Sequence, residues 1–168
     1  YNLGHARSKQ DKTNLAIKSF QLAILLNPEF SNAHNSLGIA LKSAGQIEPA
    51  LHSYRKALEI DPNFAEAFYN MGNLFKDEGN LEDAKRCFKS SLAIEAGLCE
   101  AHFNLGVIYK TQGKLDQAIN SYSQAVEVNP MLHEGYNNLG LCLQDQGDLS
   151  AALKTFQAAV KLQPDYTD

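Results

Sequence analysis

The sequence predicts an all-α fold, a solenoid of antiparallel helix pairs built from about five copies of one 34-residue unit. Three observations carry this prediction. Gly4, Gly38, Gly72, Gly106 and Gly140 recur every 34 residues, a period that belongs to stacked supersecondary units. Ala16, Ala50, Ala84, Ala118 and Ala152 keep the same period, and each is followed four residues later by an aromatic: Phe20, Tyr54, Phe88, Tyr122 and Phe156. A second glycine series (Gly45, Gly79, Gly113, Gly147) and the prolines Pro28, Pro62, Pro130 and Pro164 punctuate the units, with Ala96 where one proline is missing.

The elements follow in order. Residues 1–30 form a partial first unit that begins partway through its first helix, with Asp11 where a turn glycine would sit. In the second unit, residues 31–64, Ala33, Leu37, Ala40 and Leu41 fall at helical spacing, and Gly45 follows as a left-handed cap. That segment is helix A. Ala50, Leu51, Tyr54, Ala57 and Leu58 then recur at three and four residues until Asp61 and Pro62, which end helix B because proline lacks an N–H and biases its predecessor away from helix. Gly38 and Ala50 are small so that the two backbones approach, and Tyr54 fills the space beyond. Units 65–98, 99–132 and 133–166 repeat the pattern, with Ala96-Gly97 marking an irregular junction between the third and the fourth. The chain is expected to be a piece of a longer array.

Composition narrows the function. The 168 residues are 44% hydrophobic and 20% charged, with a net charge of -4. A pI near 5.7 argues against a nucleic-acid surface, which draws on excess Lys and Arg. No apolar run reaches the roughly 18 residues of a membrane span, and the first residues do not form a leader. Cys87, Cys99 and Cys142 are odd in number and lack CxxC spacing, which fits buried thiols and an intracellular, cytoplasmic setting. No cofactor or metal is expected.

The fourth unit reads His102, Leu105, Gly106, Tyr109, Ala118, Tyr122, Ala125, Pro130, and the fifth reads Tyr136, Leu139, Gly140, Leu143, Ala152, Phe156, Ala159, Pro164. Over nearly its whole length the chain resembles the tetratricopeptide repeat family. His34 and His102 replace a common Trp or Tyr, Ser91 replaces a small Ala, and Arg7 stands at a usually bulky position. The resemblance implies a right-handed superhelix whose concave face, lined by A helices, receives an extended peptide or a partner helix.

Groove residues can be assigned by position. Two residues before the first-series glycines stand Asn2, Ser36, Asn70, Asn104 and Asn138. A carboxamide offers donors and an acceptor to both sides of a peptide backbone, and the alternative is that these asparagines bridge neighbouring A helices. Asn35, Tyr69 and Phe103, one residue earlier in their units, complete the expected lining. Asn73 and Asn104 match asparagines of the family's carboxylate-clamp branch, but Tyr69, Glu134 and Asn138 occupy its basic positions, so such a clamp is rejected. Lys42, Lys76 and Lys110 form a basic series suited to acidic partner segments, or to the dipoles of helix C-termini. Glu66, Glu100 and Glu134 open their A helices as dipole partners. The Asn-Leu-Gly pattern is also similar to the repeat region of O-linked N-acetylglucosamine transferases, which implies a substrate-selecting arm of a larger enzyme.

A catalytic constellation is not expected. His34 and His102 lie two units apart, too far to share a metal, and Cys99 with His102 lacks a third group to orient the pair. A third reading is self-assembly. The last B helix (Ala152, Leu153, Phe156, Val160, Leu162) has no following A helix in this chain, so a symmetry mate, a swapped helix or self-association is expected to cover it.

Overall fold

The computed structural model describes residues 2–162, with side chains from residue 12 onward. Among the described residues there are nine helices and no strand: α1 (Asn2–Leu26), α2 (Ser31–Ser43), α3 (Ile47–Ile60), α4 (Ala65–Asp77), α5 (Leu81–Ile94), α6 (Cys99–Thr111), α7 (Leu115–Val128), α8 (His133–Gln146) and α9 (Leu149–Leu162). The chain divides into two compact units, Tyr1–Ile94 and Glu95–Asp168. The division falls beside Ala96-Gly97, where the periodic proline is missing.

Both units are built from one hairpin design. Each A helix ends on a glycine of the second series in left-handed geometry, with φ of 75° at Gly45, 77° at Gly79, 69° at Gly113 and 94° at Gly147. The Gly45 N–H donates to the Lys42 carbonyl at 2.9 Å and the Gln46 N–H to the Leu41 carbonyl at 2.9 Å. These paired bonds satisfy the last carbonyls of the helix and reverse the chain. The same pair recurs at Gly79, Gly113 and Gly147. Between units of sequence, Asp61 and Asn129 accept the N–H groups of Asn63 and Met131 at 3.0 and 3.1 Å, tightening the turns around Pro62 and Pro130.

Inside each hairpin the first glycine series seats an aromatic ring. A Cβ at Gly38 would lie 2.6 Å from the Tyr54 ring, and one at Gly106 would lie 2.6 Å from Tyr122. Gly72 faces Phe88, and Gly140 faces Phe156, in the same way. With Ala50, Ala84 and Ala118 fully buried beside them, these rings form the core: Tyr54 and Tyr122 are each 1% exposed and Phe88 is 0%. In the first unit, Ile17, Leu37, Leu41 and Leu74 join this cluster.

The first 26 residues depart from expectation. The sequence places a helix reversal near Asp11, yet α1 runs unbroken from Asn2 to Leu26. The reason lies in the turn: a non-glycine residue pays about 1–2 kcal/mol to enter the left-handed region, and helical geometry at Asp11 avoids that cost. Pro164 and the tail from 163 lie outside the described residues.

Candidate functional site

The A helices hold the expected groove residues, and the two units treat them differently. In the first unit Asn35 on α2 is 3% exposed. Its amide donates to Glu66 Oε1 on α4 at 3.3 Å, and its Oδ1 accepts from the Asn70 amide at 3.1 Å. One asparagine thus ties two successive A helices together, and Asn70 is spent on that link. Lys42 continues the connection by pairing with Asp77 at 2.7 Å. Burial pushes the Lys76 ammonium below the usual lysine range, with Lys42 adding to the effect and Asp77 opposing it.

In the second unit the residues equivalent to Asn35, Glu66 and Asn70 are Phe103, Glu134 and Asn138, each 68 positions later. Phe103 cannot take part in such a network. Its ring packs on Tyr122 at 5.6 Å between centroids, tilted by 61°. Above it a cavity of about 390 Å³ opens, lined by Phe103, Glu134, Asn137, Asn138, Phe156 and Val160 among others. Asn138 is half-buried there, and Glu134 and Asn137 are exposed. The lining therefore combines aromatic and aliphatic surface with carboxamides and a carboxylate, the mixture that ligand pockets carry.

The other assigned residues fall into three groups. Asn104 is 7% exposed and Asn35 3%, so both side chains sit mainly in the interior. Tyr69 packs on Phe88 at 5.8 Å and is half-buried, as are Asn73 and Lys110. The side chain of Asn2 lies outside the described residues. Sequence reasoning missed Phe156 and Val160 as lining residues, because it placed both on the face of the last B helix that it expected another copy to cover.

His34, His102 and Cys99 are each engaged with a backbone carbonyl. His34 and His102 direct Nε2 to the carbonyls of Pro28 and Ala96, both at 2.9 Å. A carbonyl only accepts, so each ring carries its proton on Nε2 and holds the end of the preceding turn. Cys99 donates to the Ala125 carbonyl at 3.3 Å, and burial pushes its thiol up. Cys99 and His102 are thus committed to different carbonyls and form no pair. Among the described residues no cluster of His, Cys, Asp and Glu suits a metal ion, and no helix is long and apolar enough to cross a membrane.

Known proteins repeat this architecture. A family model for the TPR repeat matches residues 40–79 and 108–147, and two models for the tetratricopeptide repeat match 133–166 and 1–30 with 65–97. No curated protein matches the chain. A crystal structure of MamA aligns with a TM-score of 0.83 at 22% identity, over 98% of this chain and 96% of that one. Pseudomonas aeruginosa pilF gives 0.82 at 18% identity, over 95% and 73%. The APC/C hetero-tetramer Cut9-Hcn1 gives 0.71 at 19% identity, over 92% of this chain and 31% of that one. These likenesses establish the fold.

Proposed function

The chain belongs to the tetratricopeptide repeat family, whose members are generally protein-interaction modules, and from that premise we propose that it binds an extended peptide segment of a partner protein in the cavity between α6, α8 and α9. The observation that carries this reading is the substitution of Phe103 for the asparagine that closes the equivalent face of the first unit. With no carboxamide at 103 to engage them, Asn138 and Glu134 face a cavity bordered by Phe103 and Phe156. A peptide backbone would pair with the Asn138 carboxamide, and an apolar side chain would fill the space over the two rings. Glu134 favours a basic residue beside it. If the chain is the substrate-selecting arm of a larger enzyme, as the Asn-Leu-Gly pattern suggests, the same cavity would receive the substrate.

Selection from a displayed library of unstructured peptides tests the proposal. Selected peptides are expected to lose at least tenfold affinity, about 1.4 kcal/mol, for Asn138→Ala, with an unchanged melting temperature, and to keep it for Asn70→Ala. Equal affinity for wild type and Asn138→Ala sinks the groove reading.

A second reading, association between copies, is favoured by large apolar side chains left in solvent on α1 and α9. Leu25 and Leu26 are 76% and 80% exposed, and Leu149 and Leu153 are 66% and 59% exposed. The buried face of α9 is turned inward, with Ala152 at 3%.

A further inference from the structure

The first repeat is incomplete in a way that specifies its own partner. In the other four repeats the A-helix glycine covers the B-helix ring, as at Gly38 over Tyr54 and Gly140 over Phe156. In the first repeat the matching residues are Gly4 and Phe20. Both lie on the continuous helix α1, about 24 Å apart along its axis at 1.5 Å per residue, so they do not meet. Phe20 is left without its cover. Around it a groove of about 400 Å³ runs between α1 and α2, lined by Ala16, Phe20, Ser36, Ile39, Ala40 and Ser43 among others. Ile39, on its α2 side, is 40% exposed. In the second repeat the matching place, between α3 and α4, is filled by α2, which packs on α3 and is tied to α4 through Asn35 and Lys42.

The segment that matches the groove is present in the chain but carried away from it. Residues 1–30 match a tetratricopeptide repeat model, so Asn2–Gln10 carries helix A sequence, and the unbroken helix carries it away from residues 12–26. We propose that two copies exchange these segments, the Asn2–Gln10 stretch of one seating Gly4 over Phe20 of the other, and reciprocally. Exchange of an identical element closes a two-fold dimer without any new contact chemistry, because every contact is one the repeat already makes within itself. The hinge is the segment around Asp11, where a reversal would need left-handed geometry. This deepens the second reading above and is independent of the peptide cavity.

Sedimentation equilibrium and light scattering on the chain across a concentration series test the exchange, joined to one substitution. A dimer of twice 18.5 kDa is expected for the wild type. Asp11→Gly supplies the turn residue, lets helix A fold back on its own chain and is expected to weaken dimerisation at least tenfold. A monomeric wild type overturns both the exchange and the second reading. A dimer unchanged by Asp11→Gly overturns the exchange alone and leaves association through the exposed leucines. A covalent readout guards against misfolding of that variant. Lys42 pairs with Asp77 at 2.7 Å between the A helices of successive repeats, and the same positions one repeat earlier are Ser8 and Ser43. Chains carrying Ser8→Cys, mixed and refolded with chains carrying Ser43→Cys, are expected to be joined into one covalent dimer by a short bis-maleimide, while the three native thiols are buried. Failure of that cross-link to form counts against the exchange.

Discussion

The second and third repeats, in the first unit, close the face between their A helices with side-chain hydrogen bonds, whereas the fourth and fifth, in the second unit, leave that face open over an aromatic ring. Asn35 and Phe103 occupy the same place in the hairpin. Asn35 is buried and satisfies Glu66 and Asn70; Phe103 packs on Tyr122 and borders a cavity. The hairpins themselves are alike in both units, down to the paired bonds at each turn glycine. A periodic fold thus keeps the residues that face inward within a repeat constant, and it varies those that face the neighbouring repeat. Function can change there at little cost to folding.

The largest effects are expected where the units are the same. Phe88→Ala in the first unit and Tyr122→Ala in the second each remove a ring seated against a glycine backbone, and each is expected to cost about 3–5 kcal/mol, read from urea melts. The cavity cannot collapse readily, because the glycine opposite has no side chain to fill it. A difference between the two that exceeds their spread on repeat measurement would break the claim of a shared frame.

A smaller effect separates tyrosine seats from phenylalanine seats. Burial, and secondarily the Glu66 charge, pushes the Tyr54 hydroxyl from 10.0 up to about 12, and burial pushes Tyr122 further in the same direction. The folded state therefore holds these protons more tightly than the unfolded chain. Their contribution is intact below pH 10 and is lost as the pH rises through about 12, amounting for Tyr54 to about 3 kcal/mol. Tyr54→Phe is expected to flatten that alkaline loss in proportion, measured by chemical denaturation between pH 9 and 12. Titration of Tyr54 near 10 would show that its ring is open to water.

The hairpins and their seats were legible in the sequence because they repeat at a fixed interval. Gly38 with Tyr54 and Gly106 with Tyr122 obey the same 16-residue separation, so superimposing the repeats reveals both partners. The face between repeats was not legible by that route. Asn70 reaches Asn35 across 35 positions and Asn35 reaches Glu66 across 31, so neither bond falls on the period of 34. The ladder read from the sequence runs through Ser36, Asn70, Asn104 and Asn138, whereas the bond from Asn70 goes to Asn35, one place earlier in its helix. The unbroken α1 escaped for a different reason: residues 1–30 keep most of the repeat pattern, departing at Arg7 and at Asp11, and Asp11 is the residue whose conformation decides whether the helix reverses.

The smallest expected effect bears most directly on the contrast between the units. Asn35→Ala removes the acceptor of Asn70 and the donor to Glu66 together, and both partners are partly exposed, so water takes over much of what is lost. A cost of about 1 kcal/mol is expected, well below that of a seated ring. What changes more is availability, since the Asn70 carboxamide is released from its bond to Asn35. Phe103→Asn runs the exchange backward in the second unit, giving Glu134 and Asn138 a carboxamide within reach while forfeiting the contact with Tyr122. Peptides selected against the wild type are expected to bind it at least tenfold more weakly, by calorimetry, with Asn35→Ala leaving their affinity untouched. If Phe103→Asn binds as the wild type does, the open face of the second unit owes nothing to the residue at 103, and the difference between the two units is one of packing alone.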